Sequence, residues 1–171
     1  MKKILLVMVV SSFALLSQAQ RGNNQIGVAF EAGLPTGDFG DAVKTGFGGS
    51  AKGLLGVGTA GQVTLTVGYT SFTFKDASDA HFTIVPILLG YRHNFSGVYV
   101  EPQAGYGSYA VKEGGVSVST GEFTWAIGLG YAMSGFDIGA RYQSASKDGS
   151  TTGLVGLHVG YNFSLGGSTS K

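Results

Sequence analysis

The stretch SGFDIGARYQS, Ser134 to Ser144, alternates with a period of two. Phe136, Ile138, Ala140 and Tyr142 fall on one parity, and Asp137, Gly139, Arg141 and Gln143 on the other. Successive side chains of a strand point to opposite faces, so this is a strand with an apolar and a polar face. In a water-soluble barrel or sandwich the apolar face packs inward. In a barrel that spans a bilayer the order inverts: the apolar face meets lipid, and Asp137 and Arg141 point inside. The rest of the chain decides between the two.

The N-terminus MKKILLVMVVSSFALLSQAQ carries Lys2 and Lys3, an apolar run from Ile4 to Leu16, and small residues at Ser17 and Ala19. A basic start, an apolar middle and a small-x-small site predict a secretory signal peptide over 1–19, with Gln20 as the first mature residue. The run is shorter than the ~20 apolar residues of a spanning helix. The chain has no cysteine, which excludes a lipoprotein-type signal and any disulfide. Charged residues make up 12% of the chain, against roughly 25% in an ordinary soluble domain. The formal net charge is +1, which points to neither a nucleic-acid partner nor a polybasic membrane patch. After the signal no apolar stretch is long enough for a helical span. A membrane form must therefore be a closed barrel, because only helices and barrels satisfy every backbone group in lipid.

Period-two segments fall at Ile26–Leu34, Phe47–Val57, Val63–Phe74, Phe82–His93, Val98–Val111, Glu122–Met133, Phe136–Ser144 and Thr152–Phe163. No helical period follows residue 20. The segments suit bilayer-crossing strands, which need about 9–11 residues when tilted. Their connections alternate: PTGDFGDAVKT, KDASDA, KEGGVSVSTG and SKDGST are longer, while VGTAG, HNFSG and MSG are short. Outer-membrane barrels sort their loops in this way, with short periplasmic turns and longer outer loops. The expected fold is therefore all-β, an eight-stranded antiparallel up-and-down transmembrane barrel over 20–171.

With the apolar parity outward, the other parity holds Glu31, Lys52, Arg92, Glu101, Glu122, Asp137, Arg141 and His158, spaced by Gly, Thr, Ser and Gln. These are the expected lumen residues. Tyr91, Tyr131, Phe136, Tyr161 and Phe163 then fall at one end of their strands, and Phe47, Tyr106, Phe123, Trp125 and Tyr142 toward the other. Two aromatic girdles around an aliphatic band mark a bilayer. The competing reading, a secreted lipocalin-like barrel, wants its bulky residues inside.

Strand heights place Glu31, Lys52, Arg141 and His158 together in mid-lumen, and Arg92 beside Glu101 near the periplasmic end. An eight-stranded interior is just wide enough for side chains to fill, so the expectation is a polar plug, with a narrow small-solute path as the alternative. GVGTAG, Gly56 to Gly61, imitates a dinucleotide fingerprint but leads into a strand and reads as a turn. Ser78, Asp79 and His81 are the only candidates for loop catalysis, and no histidine has metal-like spacing. No cofactor and no metal are expected.

The signal peptide, the alternating strands and the Gly-Tyr pairs at Gly68-Tyr69, Gly90-Tyr91, Gly105-Tyr106, Gly130-Tyr131 and Gly160-Tyr161 resemble the small outer-membrane β-barrel family of Gram-negative bacteria, the OmpA/OmpX-like barrels. The resemblance implies a monomer inserted by the outer-membrane assembly machinery, surrounded by lipid and lipopolysaccharide, with an extracellular ligand reached through the four longer loops. It implies a non-enzymatic structural or surface-interaction role; a barrel lipid-modifying enzyme is the remote alternative. Family barrels often end on an aromatic residue, whereas here Phe163 and Leu165 are followed by the tail GGSTSK, 166–171.

Overall fold

The computed structural model describes residues 24–76, 80–114, 116–147 and 150–165. The residues assigned to the signal peptide, Ser78, Asp79 and the tail 166–171 lie outside them.

The eight strands are β1 Gln25–Thr36, β2 Gly46–Val57, β3 Gly61–Thr73, β4 His81–Phe95, β5 Val98–Glu113, β6 Val116–Met133, β7 Phe136–Lys147 and β8 Ser150–Ser164. Each pairs antiparallel with its chain neighbour, and β1 closes on β8 from Gln25↔Ser164 to Thr36↔Gly153. Closure leaves every inner strand position flanked on both sides, which disposes of the edge problem of open sheets.

The two rims differ. At one, the turn end, β4–β5 and β6–β7 are joined by the two-residue turns Ser96-Gly97 and Ser134-Gly135. All four residues have positive φ: 57° and 105° in the first turn, 52° and 89° in the second. This is the type I′ geometry whose twist matches that of the flanking strands. The Gly97 and Gly135 carbonyls accept hydrogen bonds from the Ala132 and Asn162 N–H groups at 2.8 and 2.7 Å, so each turn is tied to the strand that follows its hairpin. The rings of Tyr131 and Tyr161 lie over those same glycines, where a Cβ would collide with them.

The opposite rim, the lid end, carries the longer first connection and a short helix, α1 (Asp38–Ala42). Here the expectation needs correcting. KEGGVSVSTG is mostly strand: β6 begins at Val116, and its register with β5 runs out to Glu113↔Val116. Its pairing with β7 starts only at Thr124↔Ala145, so the β5–β6 hairpin projects past its neighbour. The sorting into long and short connections is accordingly weaker than the sequence suggested. Length went into strands at this rim.

Candidate functional site

The polar parity points inward along every strand. Glu31, Arg92, Glu101, Asp137 and Arg141 are buried. So are Thr64, Thr66, Gln103 and Asn162. The large polar residues sit opposite glycine: Glu31↔Gly48, Glu101↔Gly128, Gly128↔Arg141, and Asp137↔Gly160, Gly139↔His158 and Arg141↔Gly156. Glycine on one flank of each leaves room for its long side chain in a narrow barrel, even where the other flank is filled, as at Glu31↔His158.

Two charge-paired groups fill the interior. In the first, Arg141 Nη2 reaches Glu31 Oε2 at 2.9 Å across the β8 strand. Ser50 Oγ donates to the other Glu31 oxygen at 2.6 Å. The second is larger. Glu101 Oε2 receives Lys52 Nζ at 2.9 Å and Arg92 Nε at 2.9 Å. Its Oε1 accepts from Thr64 Oγ1 at 2.8 Å and Gln103 Nε2 at 2.9 Å. Arg92 then bridges to Asp137 through Nη1 at 2.8 Å, while its guanidinium stacks 3.7 Å over the Tyr99 ring. Asp137 also accepts from Tyr99 OH at 2.6 Å and Asn162 Nδ2 at 3.0 Å, with His158 Nε2 at 3.2 Å.

Carboxylates saturated with donors offset the desolvation of a buried charge. The cavity at the centre of these residues is only about 20 Å³, while a wider one of about 400 Å³ opens at the turn end below Arg92 and Asn162. Among the described residues two buried side-chain nitrogens lack an aligned acceptor, Arg141 Nε and Arg92 Nη2. Arg92 Nη2 nevertheless lies 2.8 Å from Glu101 Oε2, a charge contact with poor hydrogen-bond angles.

The groupings differ from those read off strand heights. Arg141 and Glu31 do meet, and so do Arg92 and Glu101. Lys52 turns to Glu101 instead of Glu31, and His158 to Asp137 and Tyr99. For Lys52 the reason is strand stagger: it pairs with Gly27, four residues from the Glu31↔Gly48 level. His158 does stand directly opposite Glu31 across the β1–β8 seam, but its ring turns away to Asp137 and Tyr99. Glu122 points inward near the lid end but joins none of the ion pairs among the described residues.

Above this polar layer the lumen changes character, which the sequence reading missed. Val43, Phe72, Ile84, Tyr109, Ala145 and Leu154 form a buried apolar cluster at the lid end, with Phe39, Phe74 and Phe82 packed on it. Phe39 comes from α1, its ring 5.2 Å from Phe72 and 5.0 Å from Phe82. Backbone bonds fasten the α1 segment down: Lys44 N–H to the Thr73 carbonyl at 2.9 Å, and Lys75 N–H to the Ala42 carbonyl at 3.1 Å. The signal was available, because Phe72 and Tyr109 stand on the polar parity of β3 and β5.

The outer surface is the reverse of a soluble barrel. Phe47, Tyr91, Tyr106, Phe123, Trp125, Tyr131, Phe136, Tyr142, Tyr161 and Phe163 are all exposed. So are the aliphatic residues between them, among them Leu65, Val67, Ile87, Leu89, Ile127, Leu129 and Val159. His81 lies at the lid rim, its Nδ1 3.5 Å from Thr73 Oγ1. His93 sits between the Tyr91 and Phe95 rings, 6.2 and 4.6 Å away.

No family model matches the chain, and no curated protein matches it. Solved structures share its fold. Neisserial surface protein A (NspA) superposes with a TM-score of 0.66 at 14% identity, covering 85% of this chain and 99% of NspA. The attachment invasion locus protein Ail of Yersinia pestis gives a TM-score of 0.60 at 19% identity, over 84% of this chain and all of Ail. The complex of Ail with the heparin analogue sucrose octasulfate gives 0.62 at 20% identity. The chain thus has the fold of small eight-stranded outer-membrane barrels.

Proposed function

We propose that residues 20–171 form a monomeric barrel in the bacterial outer membrane, exported by the signal peptide 1–19. Its role is structural or surface-interacting and not enzymatic. The turn end faces the periplasm and the lid end faces outward. The observation that carries this reading is the inversion itself: paired charges inside, a continuous aliphatic and aromatic surface outside. Water would disfavour that surface; the hydrocarbon of a bilayer matches it. The aromatic girdles are assigned to the two headgroup levels, where amphipathic rings reside. Lipopolysaccharide and the assembly machinery are the partners that such a location brings.

The lumen is assigned a plugging role. The saturated network, the cavity of about 20 Å³ and the apolar layer under α1 all support a closed interior over a small-solute path. The test is conductance. Refolded protein in a planar bilayer is expected to add no stable current steps. Reproducible ohmic steps would assign it to the channel class instead.

A further inference from the structure

The inward parity of β5 and β6 continues past the barrel mouth onto the projecting hairpin. Tyr109 is buried in the mouth; one rung further out Val111 pairs with Val118, and beyond that comes Glu113. Val111 is 39% and Val118 70% exposed. Val118 stands five residues beyond the girdle residue Phe123, roughly 16 Å along the strand at ~3.3 Å per residue. It is therefore an apolar residue outside the bilayer belt, on a face that lipid does not cover. Val111 and Glu113 also line a groove of about 240 Å³ with Ala42, Phe74 and Asp76. It adjoins a second hollow on the hairpin lined by Val111, Glu113, Gly114 and Val118.

Two carboxylates flank this apolar surface without a cation. Neither Asp76 nor Glu113 is in an ion pair among the described residues. The nearby lysines are directed elsewhere. Lys75 Nζ donates to the Gly40 carbonyl at 2.7 Å. Lys112 stands on the opposite parity of β5 from Glu113. An apolar patch in water beside uncompensated acids points to a partner with apolar and basic groups. The spacing narrows it further. Val111 and Glu113 are two residues apart on one strand face, about 6–7 Å. That is also the spacing of residues i and i+2 of an extended peptide.

We propose that this groove docks an extended, basic segment of a partner protein, with an apolar residue at i and a lysine or arginine at i+2. The apolar side chain packs on Val111, Val118 and Phe74; the cation meets Glu113 and Asp76. The inference rests on the outward orientation proposed above.

The test uses the barrel in phosphatidylcholine nanodiscs, with empty nanodiscs subtracted, and surface plasmon resonance as the readout. The probe is the acetylated, amidated peptide VSKSVSKS, which presents Val and Lys on one face. It should bind saturably, and Glu113→Gln with Asp76→Asn should weaken it about tenfold or more, as loss of a complementary charge pair does. Val118→Ser should weaken it as well. VSESVSES, and VKSSVKSS with Val and Lys on opposite faces, should bind far less. All the substituted residues are exposed, so the variants fold as the parent does, which a heat-shifted gel band checks. Absent binding, equal binding of the three peptides, or variants indistinguishable from the parent would each overturn the proposal. The same protein showing the heat-shifted band from those nanodiscs and no current steps in planar bilayers keeps the outer-membrane reading separate from that outcome.

Discussion

Arg141 and Glu31 come from strands far apart in sequence and meet at 2.9 Å in the lumen, both nearly sealed from solvent. Removing one partner of such a pair strands the other, at a cost of about 3–5 kcal/mol. Arg141→Ala should therefore lower stability strongly in urea unfolding from lipid vesicles. Adding Glu31→Gln should return part of the loss, because the stranded carboxylate is gone. Two losses that simply add would show that the pair does not couple. Ser50 sharpens the expectation, since its hydroxyl already donates to Glu31 and remains as a partner for the glutamine. The residue scale was only partly legible in sequence. Parity identified which charged residues point inward. It could not say that Lys52 belongs to Glu101, because the shear that joins β2 to β5 across the lumen leaves no mark on either strand.

At the scale of elements, β6 crosses three environments along one strand. Ile127 is 50% exposed on the lipid-facing parity. Arginine there should cost about 2–4 kcal/mol, the penalty for a charge near the bilayer midplane. Val118 is more exposed still, yet beyond the girdle, so Val118→Arg should stay within about 0.5 kcal/mol. Folding yield in vesicles measures both, and equal penalties would place Val118 inside the bilayer. The outer part of β6 was misread as loop for a related reason. VSVSTG alternates, but with small polar residues and flanking glycines in place of the strong apolar parity that lipid demands of the membrane stretch. α1 escaped notice because five residues are too few to display a helical period. Its anchor is Phe39. Phe39→Ala should loosen the lid alone: amide exchange should quicken at Lys44 and Lys75, whose N–H groups bond across the lid seam. Amides beside the Glu101 network should keep their protection. Uniform loss of protection would make the lid part of one cooperative unit with the barrel.

For the whole molecule the decisive property is which way the barrel is turned. The eight strands, their order and the outward apolar parity were legible because a period of two reports faces directly. The apolar stopper over the polar lumen was not, since it is assembled from single residues of several strands and one loop. The chain holds one tryptophan, Trp125, 43% exposed on the outer surface and 5.6 Å from the Tyr142 ring. Its fluorescence therefore reports the barrel's orientation from a single site. In vesicles made with brominated phosphatidylcholine, Trp125 emission should be strongly quenched, while iodide in the buffer should have little effect. Quenching by iodide with none from the brominated chains would contradict the account, because it would place this surface in water.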